Sequence, residues 1–405
     1  AEKMNHILDQ AEIFNLLGIF SMERGESENG MRAYHQSIEK SQMAGYLYGE
    51  GRSLVNLGNL HYFKGELSET LDLYNQAINV FGSLTEKRGE VQLRLNRASI
   101  SLNILGNSPQ VKEDAYFALE YAKRVDDPIS TGQALTVLAE SNRHEGNFVE
   151  AHRLMEEGIA SIKIAGDDWL LVQEYRTLGY LNIQEGNFEE ALQVLNQALE
   201  LCKKLQLESM CPPIIAICGL ALLGLDKTKE ALEATSEALN ELKPDVEQTY
   251  LLYYWHALCL QAAGKSEEAQ PAILKAYKLM MESLKGLSEE QIKYSLRFIP
   301  EHQAIVKLHT EIQPKVIEIE LPKSGDISET VKVTWTIFEN NDEKINNKVA
   351  RRRHCLKRLL QETEKQGALA TYKQYADAMQ VGVRTIERDI AYIMEINQKN
   401  GGSFS

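Results

Sequence analysis

Residues Thr177 to Leu199 read TLGYLNIQEGNFEEALQVLNQAL, and the spacing of small and large residues in this stretch recurs along about two thirds of the chain. Gly186 follows Gly179 by seven residues, and Ala191, Leu195 and Ala198 come after it at steps of five, four and three. Those steps describe a helix, a tight turn and a second helix. Gly179 and Ala191 are small where two helices cross closely, Gly186 can take the positive φ that ends a helix, and Leu195 and Ala198 share one helical face. A single hairpin of this kind cannot bury its apolar face, so it needs copies stacked beside it.

The copies are present. The counterparts of Gly179 are Gly18, Gly58, Ala98 and Ala139 upstream and Gly219 and Ala257 downstream, at spacings of 40, 40, 41, 40, 40 and 38. Second-helix triplets agree, as in Thr70, Tyr74 and Ala77 or Ala231, Thr235 and Ala238. Three copies depart from the pattern, the first being weaker with Gly30, Tyr34 and Ser37 at the second-helix positions. In the third, Gly106 and Ala115 are nine residues apart instead of five, with Asn107-Ser108-Pro109 between them, which predicts a longer turn. The sixth has Asp226 in place of its turn glycine and opens with Pro212-Pro213, which predicts a late helix start.

This set resembles the tetratricopeptide repeat, with its Leu-Gly pair, turn glycine and three positions on the second helix. The resemblance implies an all-α solenoid over residues 1–284, a right-handed superhelix of about seven helical hairpins. It also implies a concave wall built mainly from the first helix of each hairpin, at residues three before and one and four after the small Gly or Ala. Asn59, Tyr62, Glu140, Arg143, Arg176 and Tyr180 form the middle band of that wall. Their mixture of hydrogen-bonding, aromatic and charged groups suits a peptide, a protein segment or a small polar ligand. As exposed helix positions, Arg143 and Arg176 are expected to tolerate alanine with a change below about 0.5 kcal/mol. The alternative is that the whole band consists of ordinary solvated helix residues.

Composition narrows the function classes. The chain has 405 residues, 43% of them hydrophobic, and nine prolines, enough for an extended array plus a second domain. No run of eighteen apolar residues and no leader-like start is visible, so a cytoplasmic protein with no membrane contact is expected. The five cysteines are odd in number and form no C-x-x-C pair, and the nine histidines lack ligand spacing, so neither disulfides nor a metal or cofactor site is expected. Gly264-Lys265-Ser266 resembles the end of a phosphate-binding loop, but Cys259 stands where that motif needs its first glycine. Glu189-Glu190 and Glu267-Glu268 follow turn glycines and read as helix starts rather than acid–base pairs. No residue constellation favours an enzyme.

Beyond the repeats, residues 285–312 read as a pair of capping helices broken at Pro300, covering the apolar end of the array. Residues 313–345 read as short strands, VIEIEL and VKVTWTIF, followed by a polar linker. Residues 346–405 change character again. Between Asn346 and Lys399 eleven Lys or Arg stand against six Asp or Glu, a balance of +5, which leaves −19 on the remainder of a chain with net charge −14. A basic segment on an acidic body is the usual footprint of a surface that meets phosphate.

Within that segment Thr371 to Met379 predicts a short helix, Gln380-Val381-Gly382 a turn and Val383 to Glu395 a second helix, the helix-turn-helix layout. Ile386, Ile390 and Ile393 give the second helix a buried face, which leaves Arg384, Thr385 and Arg388 outward near its start. The stretch VGVRTIERDIAYI resembles the winged helix-turn-helix of deoxyribose-operon-type repressors at Val381, Arg384, Thr385, Ile386, Arg388 and Asp389. Gly382 stands where that family has Ser and Glu387 where it often has a base, and Asn397 to Ser405 leaves room for only a short wing. The resemblance implies double-stranded DNA as partner, read by Arg384, Thr385 and Arg388, with Arg351, Arg352 and Arg353 on phosphate.

A repeat array followed by a helix-turn-helix is similar to the sensor and output parts of bacterial transcription regulators. Some of these belong to the signal-transduction ATPases with numerous domains, whose ATPase would lie upstream of Ala1. The expectation is a sensor that binds a ligand in its groove and DNA through its tail, with a homodimer admitted. The rival is a non-enzymatic scaffold whose tail is a protein-binding or dimerisation module.

Overall fold

The computed structural model describes residues 2–24, 26–243, 246, 248–339, 342 and 345–399. The chain divides into two compact units, Ala1–Lys307 and Leu308–Ser405. Among the described residues there are nineteen helices and one two-stranded hairpin.

The first unit opens with seven helical hairpins. They pair α1 (Glu2–Glu23) with α2 (Ser27–Ala44), α3 (Leu47–Phe63) with α4 (Leu67–Gly82), and α5 (Arg88–Ile104) with α6 (Pro109–Val125). Then come α7 (Pro128–His144) with α8 (Phe148–Ala165), α9 (Asp168–Glu185) with α10 (Phe188–Leu205), α11 (Cys211–Gly224) with α12 (Thr228–Asn240), and α13 (Thr249–Ala262) with α14 (Ser266–Ser283). Close helix crossing explains the small residues. A Cβ on Gly179 would stand 2.5 Å from the Leu195 side chain, and one on Gly58 would stand 2.8 Å from the Tyr74 ring. Where alanine replaces glycine, at Ala98, Ala139 and Ala257, the residue is buried. The turn of the fifth hairpin carries Gly186 at φ +85°, and the sixth manages the same left-handed turn with Asp226 at φ +59°.

The third hairpin departs from expectation in an instructive way. Of its four additional residues, only one lengthens the loop. Helix α6 starts at Pro109, three residues after Gly106 and six before Ala115, whereas α10 starts two after Gly186 and three before Ala191. The rest of the insertion is an extra turn at the front of α6, because proline at the first helical position is preorganised to begin one. In the sixth hairpin α11 is only 14 residues long and begins at Cys211 beside Pro212-Pro213.

Helices α15 (Glu289–Phe298) and α16 (Pro300–Ile312) do more than cap the last hairpin. Ile305 is buried among Tyr250, Ala276 and Met280 of the seventh hairpin, as a cap requires. The same segment also reaches back to much earlier repeats. Leu284 and Leu287 share a cluster with Leu67, Tyr294 donates to the Asn107 carbonyl at 3.2 Å, and Ser295 donates to the Ile104 carbonyl at 2.5 Å. The segment thus covers the last hairpin and contacts earlier repeats as well. Backbone carbonyls left over at the α5 C-terminus need donors, and this segment supplies them.

In the second unit β1 (Lys315–Lys323) and β2 (Asp326–Phe338) pair antiparallel, with Ile319 opposite Val333 and Leu321 opposite Val331. They precede α17 (Lys348–Lys365), α18 (Tyr372–Ala378) and α19 (Val383–Lys399). The hairpin is not a separate element before a linker, as residues 313–345 suggest. Leu321, Val333 and Trp335 share one core with Leu356, Leu359, Tyr375, Ala376, Ile386, Ile390 and Ile393. Trp335 is fully buried, donates its indole N–H to Thr363 Oγ1 at 2.8 Å and stacks on Tyr375 with ring centroids 4.8 Å apart. Side chains at and just past the end of α17 also satisfy β2's outer backbone, as Thr336 N donates to Glu362 Oε2 and Thr334 N to Gln366 Oε1.

Candidate functional site

Four of the six groove residues inferred from sequence come together around one cavity of about 550 Å³ in the first unit. Glu140, Arg143, Arg176 and Tyr180 line it, with Trp169, Tyr250 and Trp255 supplying aromatic walls. Asn59 and Tyr62 are not among its lining. Asn59 accepts a hydrogen bond from the Tyr74 hydroxyl, and Tyr62 packs at the Leu67–Leu284 cluster.

Arg143 is not the solvated residue that its position on the helix suggests. It is only 8% exposed, and its guanidinium is fully engaged. Nε and Nη2 donate to the two Glu140 oxygens at 3.1 Å, and Nη1 donates to Glu301 Oε1 at 3.1 Å and to Gln184 Oε1 at 3.2 Å. The same group lies 5.4 Å from the centre of the Tyr180 ring. Glu301, in the first turn of α16, is also buried and accepts from the Tyr180 hydroxyl at 3.0 Å. A residue 158 positions away thus occupies the middle of the predicted groove.

The electrostatics follow from that burial. Desolvation pushes the Glu301 carboxyl up, but the Arg143 guanidinium and its hydrogen bonds hold it below the usual carboxylate range. Neighbouring His144 and His302 are both pushed down, His302 to about 4, with burial the chief cause in each. Arg143 Nη2 lies 2.9 Å from His144 Nε2 and can only donate, so Nε2 accepts and the ring proton sits on Nδ1. His144 Nδ1 is buried without a hydrogen-bond partner among the described residues. Two helices on, in α9, Glu174 is buried between repeats, where desolvation raises it to about 7 and the Thr136 hydroxyl donates to it.

The second candidate site is the start of α19. Arg384 and Arg388 are exposed, Thr385 is half-buried beside them, and Glu387 is exposed between the two arginines. Ile386, Ile390 and Ile393 face the core. Thr371 starts α18 with a capping box to Gln374, and Gln380 at φ +53° makes the turn. The arginines of α17 are less free than the sequence implies. Arg352 Nε and Arg353 Nε donate to the buried Asp389 carboxylate at 2.6 and 2.9 Å, Arg353 lies over the Tyr392 ring at 3.5 Å, and Arg351 donates to the Ile345 carbonyl. Asp389 is pushed up by burial, but the two guanidiniums hold it below the usual range. Asp389 thus serves to clamp α19 on α17. Helix α19 runs on to Lys399, and the rest of the wing expected from Asn397 to Ser405 lies outside the described residues.

Sequence reasoning missed Glu301, His144 and Trp255. Glu301 has no signal in the repeat period because it lies beyond the last hairpin.

A tetratricopeptide-repeat model matches residues 175–205, the fifth hairpin from which the period is read. Among solved structures, the apo form of RapI superposes with a TM-score of 0.55 at 13% identity, covering 70% of this chain and 98% of that one. Aspartyl phosphate phosphatase F from Bacillus subtilis gives 0.55 at 12% identity, covering 70% and 73%. NprR in complex with its cognate peptide NprX gives 0.49 at 15% identity, covering 72% and 85%. No curated protein matches the chain significantly. The fold of the first unit is that of a tetratricopeptide-type helical array, and among the described residues no helix is long and apolar enough to cross a membrane.

Proposed function

We propose that this protein is a non-enzymatic regulator that binds a peptide, a protein segment or a small polar ligand in the array and double-stranded DNA through α19. The observation that carries the DNA half is the division of α19 into two faces. Its isoleucines are buried in the core while Arg384, Thr385 and Arg388 stand near its start, where a recognition helix meets base edges. Since Asp389 holds Arg352 and Arg353, the main role in binding falls to Arg384 and Arg388, and the −19 of the remaining chain repels DNA from elsewhere. The groove half is supported by a cavity of about 550 Å³ that combines aromatic walls with Glu140, Arg143 and Arg176.

The test is fluorescence anisotropy of the full chain on a selected duplex and on random duplex at two salt concentrations. Replacing both Arg384 and Arg388 by Ala should weaken binding to each and flatten the salt slope by about one unit for every phosphate no longer neutralised. A base-reading arginine adds about 1–3 kcal/mol of discrimination. If the wild-type chain shows no salt-dependent DNA binding, the tail is a protein-binding or dimerisation module instead.

A further inference from the structure

We propose that Arg143, Tyr180 and His144 form a carboxylate-recognition site that Glu301 fills from within, and that a ligand bearing a carboxylate binds by exchanging with the Glu301 side chain. The ligand class is an acidic side chain, a peptide C-terminus or a small organic acid. The inference rests on the groove reading above and names the chemistry of its occupant.

Three observations converge. First, the site is built for an anion of this shape, with a guanidinium N–H and a phenol O–H both donating to one carboxylate oxygen, Glu301 Oε1, at 3.1 and 3.0 Å. Second, that carboxylate does not come from the helices that make the wall. It belongs to α16, whose first turn enters the cavity that Glu140, Arg143 and Tyr180 line. Third, one donor in the same wall is left over. His144 Nδ1–H is buried and unpartnered among the described residues, while Nε2 is committed to Arg143. Glu301 therefore leaves capacity that a second carboxylate oxygen, differently presented, would use.

Exchange is chemically balanced because one carboxylate replaces another. Arg143 keeps its Glu140 pair throughout, so the guanidinium is never left without a counter-charge. The released Glu301 lies at the first turn of α16, where a negative charge remains favourable against the helix N-terminus.

The test uses succinate as probe and the full chain, with intrinsic fluorescence as readout, because Trp169 and Trp255 line the cavity and Trp255 lies 5.6 Å from Tyr180. Glu301→Gln keeps the volume of the side chain but removes the competing charge. Succinate should bind this variant at least about tenfold more tightly than wild type, and a matched concentration of sodium chloride should not mimic it. Adding Arg143→Met to Glu301→Gln should abolish the binding, with circular dichroism showing that the helices persist. Glu140 also pairs with Arg143, so Glu140→Gln is made in the same chain to leave no carboxylate unpaired, and circular dichroism is the folding control. Equal affinity in wild type and Glu301→Gln, or no succinate response in either, overturns the proposal. A groove ligand that binds equally to wild type and Glu301→Gln also overturns it while leaving the groove reading intact.

Discussion

Arg143 shows how far one residue's role depends on its surroundings. On the helix it occupies a wall position that would ordinarily tolerate alanine, yet here it is buried between two carboxylates. Truncation would leave Glu301 charged and desolvated without its partner. Arg143→Ala should therefore lower stability by about 3–5 kcal/mol, while Arg143→Met with Glu140→Gln and Glu301→Leu, which leaves no carboxylate unpaired, should recover most of that loss. Urea denaturation followed by circular dichroism measures both. His302 makes a second prediction. Its ring is neutral in the fold, bonded to Tyr250 and Ser295, and burial depresses it to about 4. The folded state therefore binds fewer protons than the unfolded one. Its contribution is fully present above the usual histidine value and is lost as pH falls from about 6.5 towards 4. Urea midpoints should drop across that window, and His302→Gln should make the drop shallower.

Between elements, the repeat interface carries a strain that neither helix explains alone. Five residues before the small Gly or Ala, the first helix of each later hairpin buries a side chain against its predecessor. Ser53, Leu93, Ala134, Ile214 and Leu252 occupy this position, and in the fifth hairpin it is Glu174. Burial raises its carboxyl to about 7, so charging it costs stability as pH rises from the usual 4.5 through 7. Glu174→Gln should stabilise the protein at pH 8 by roughly 2–3 kcal/mol and leave it nearly unchanged at pH 4. Thermal melts at the two pH values decide it. The α17–α19 packing is the other element-scale clamp, because buried Asp389 holds two arginines.

At the scale of the whole first unit, the segment from Leu284 to Ile305 converts a one-dimensional stack into a closed arrangement. In an open array each repeat touches only its neighbours, so unfolding can begin at an end and spread. Here the seventh hairpin is tied to the second, third and fourth through Leu284, Leu287, Ser295 and Glu301. In a Trp335→Phe chain, whose remaining tryptophans Trp169 and Trp255 both lie in the first unit, fluorescence and the circular dichroism of the helices, most of which belong to that unit, should coincide in urea. Ile305→Asp, which places a charge where α16 packs on Tyr250 and Met280, should separate the two curves.

What the sequence determined by itself was local and periodic. The period near 40 located seven hairpins, their close-crossing glycines and their left-handed turns, because these depend on residues within one or two turns of each other. The succession of α18, turn and α19 and the buried face of α19 were legible for the same reason, as Ile386, Ile390 and Ile393 lie on one face. Tertiary structure alone decided what fills the groove. Glu301 meets Arg143 across 158 residues, and Trp335 of β2 meets Tyr375 of α18 to make the hairpin part of the C-terminal core. Neither meeting leaves a periodic trace, because each depends on how whole elements pack rather than on spacing along one of them.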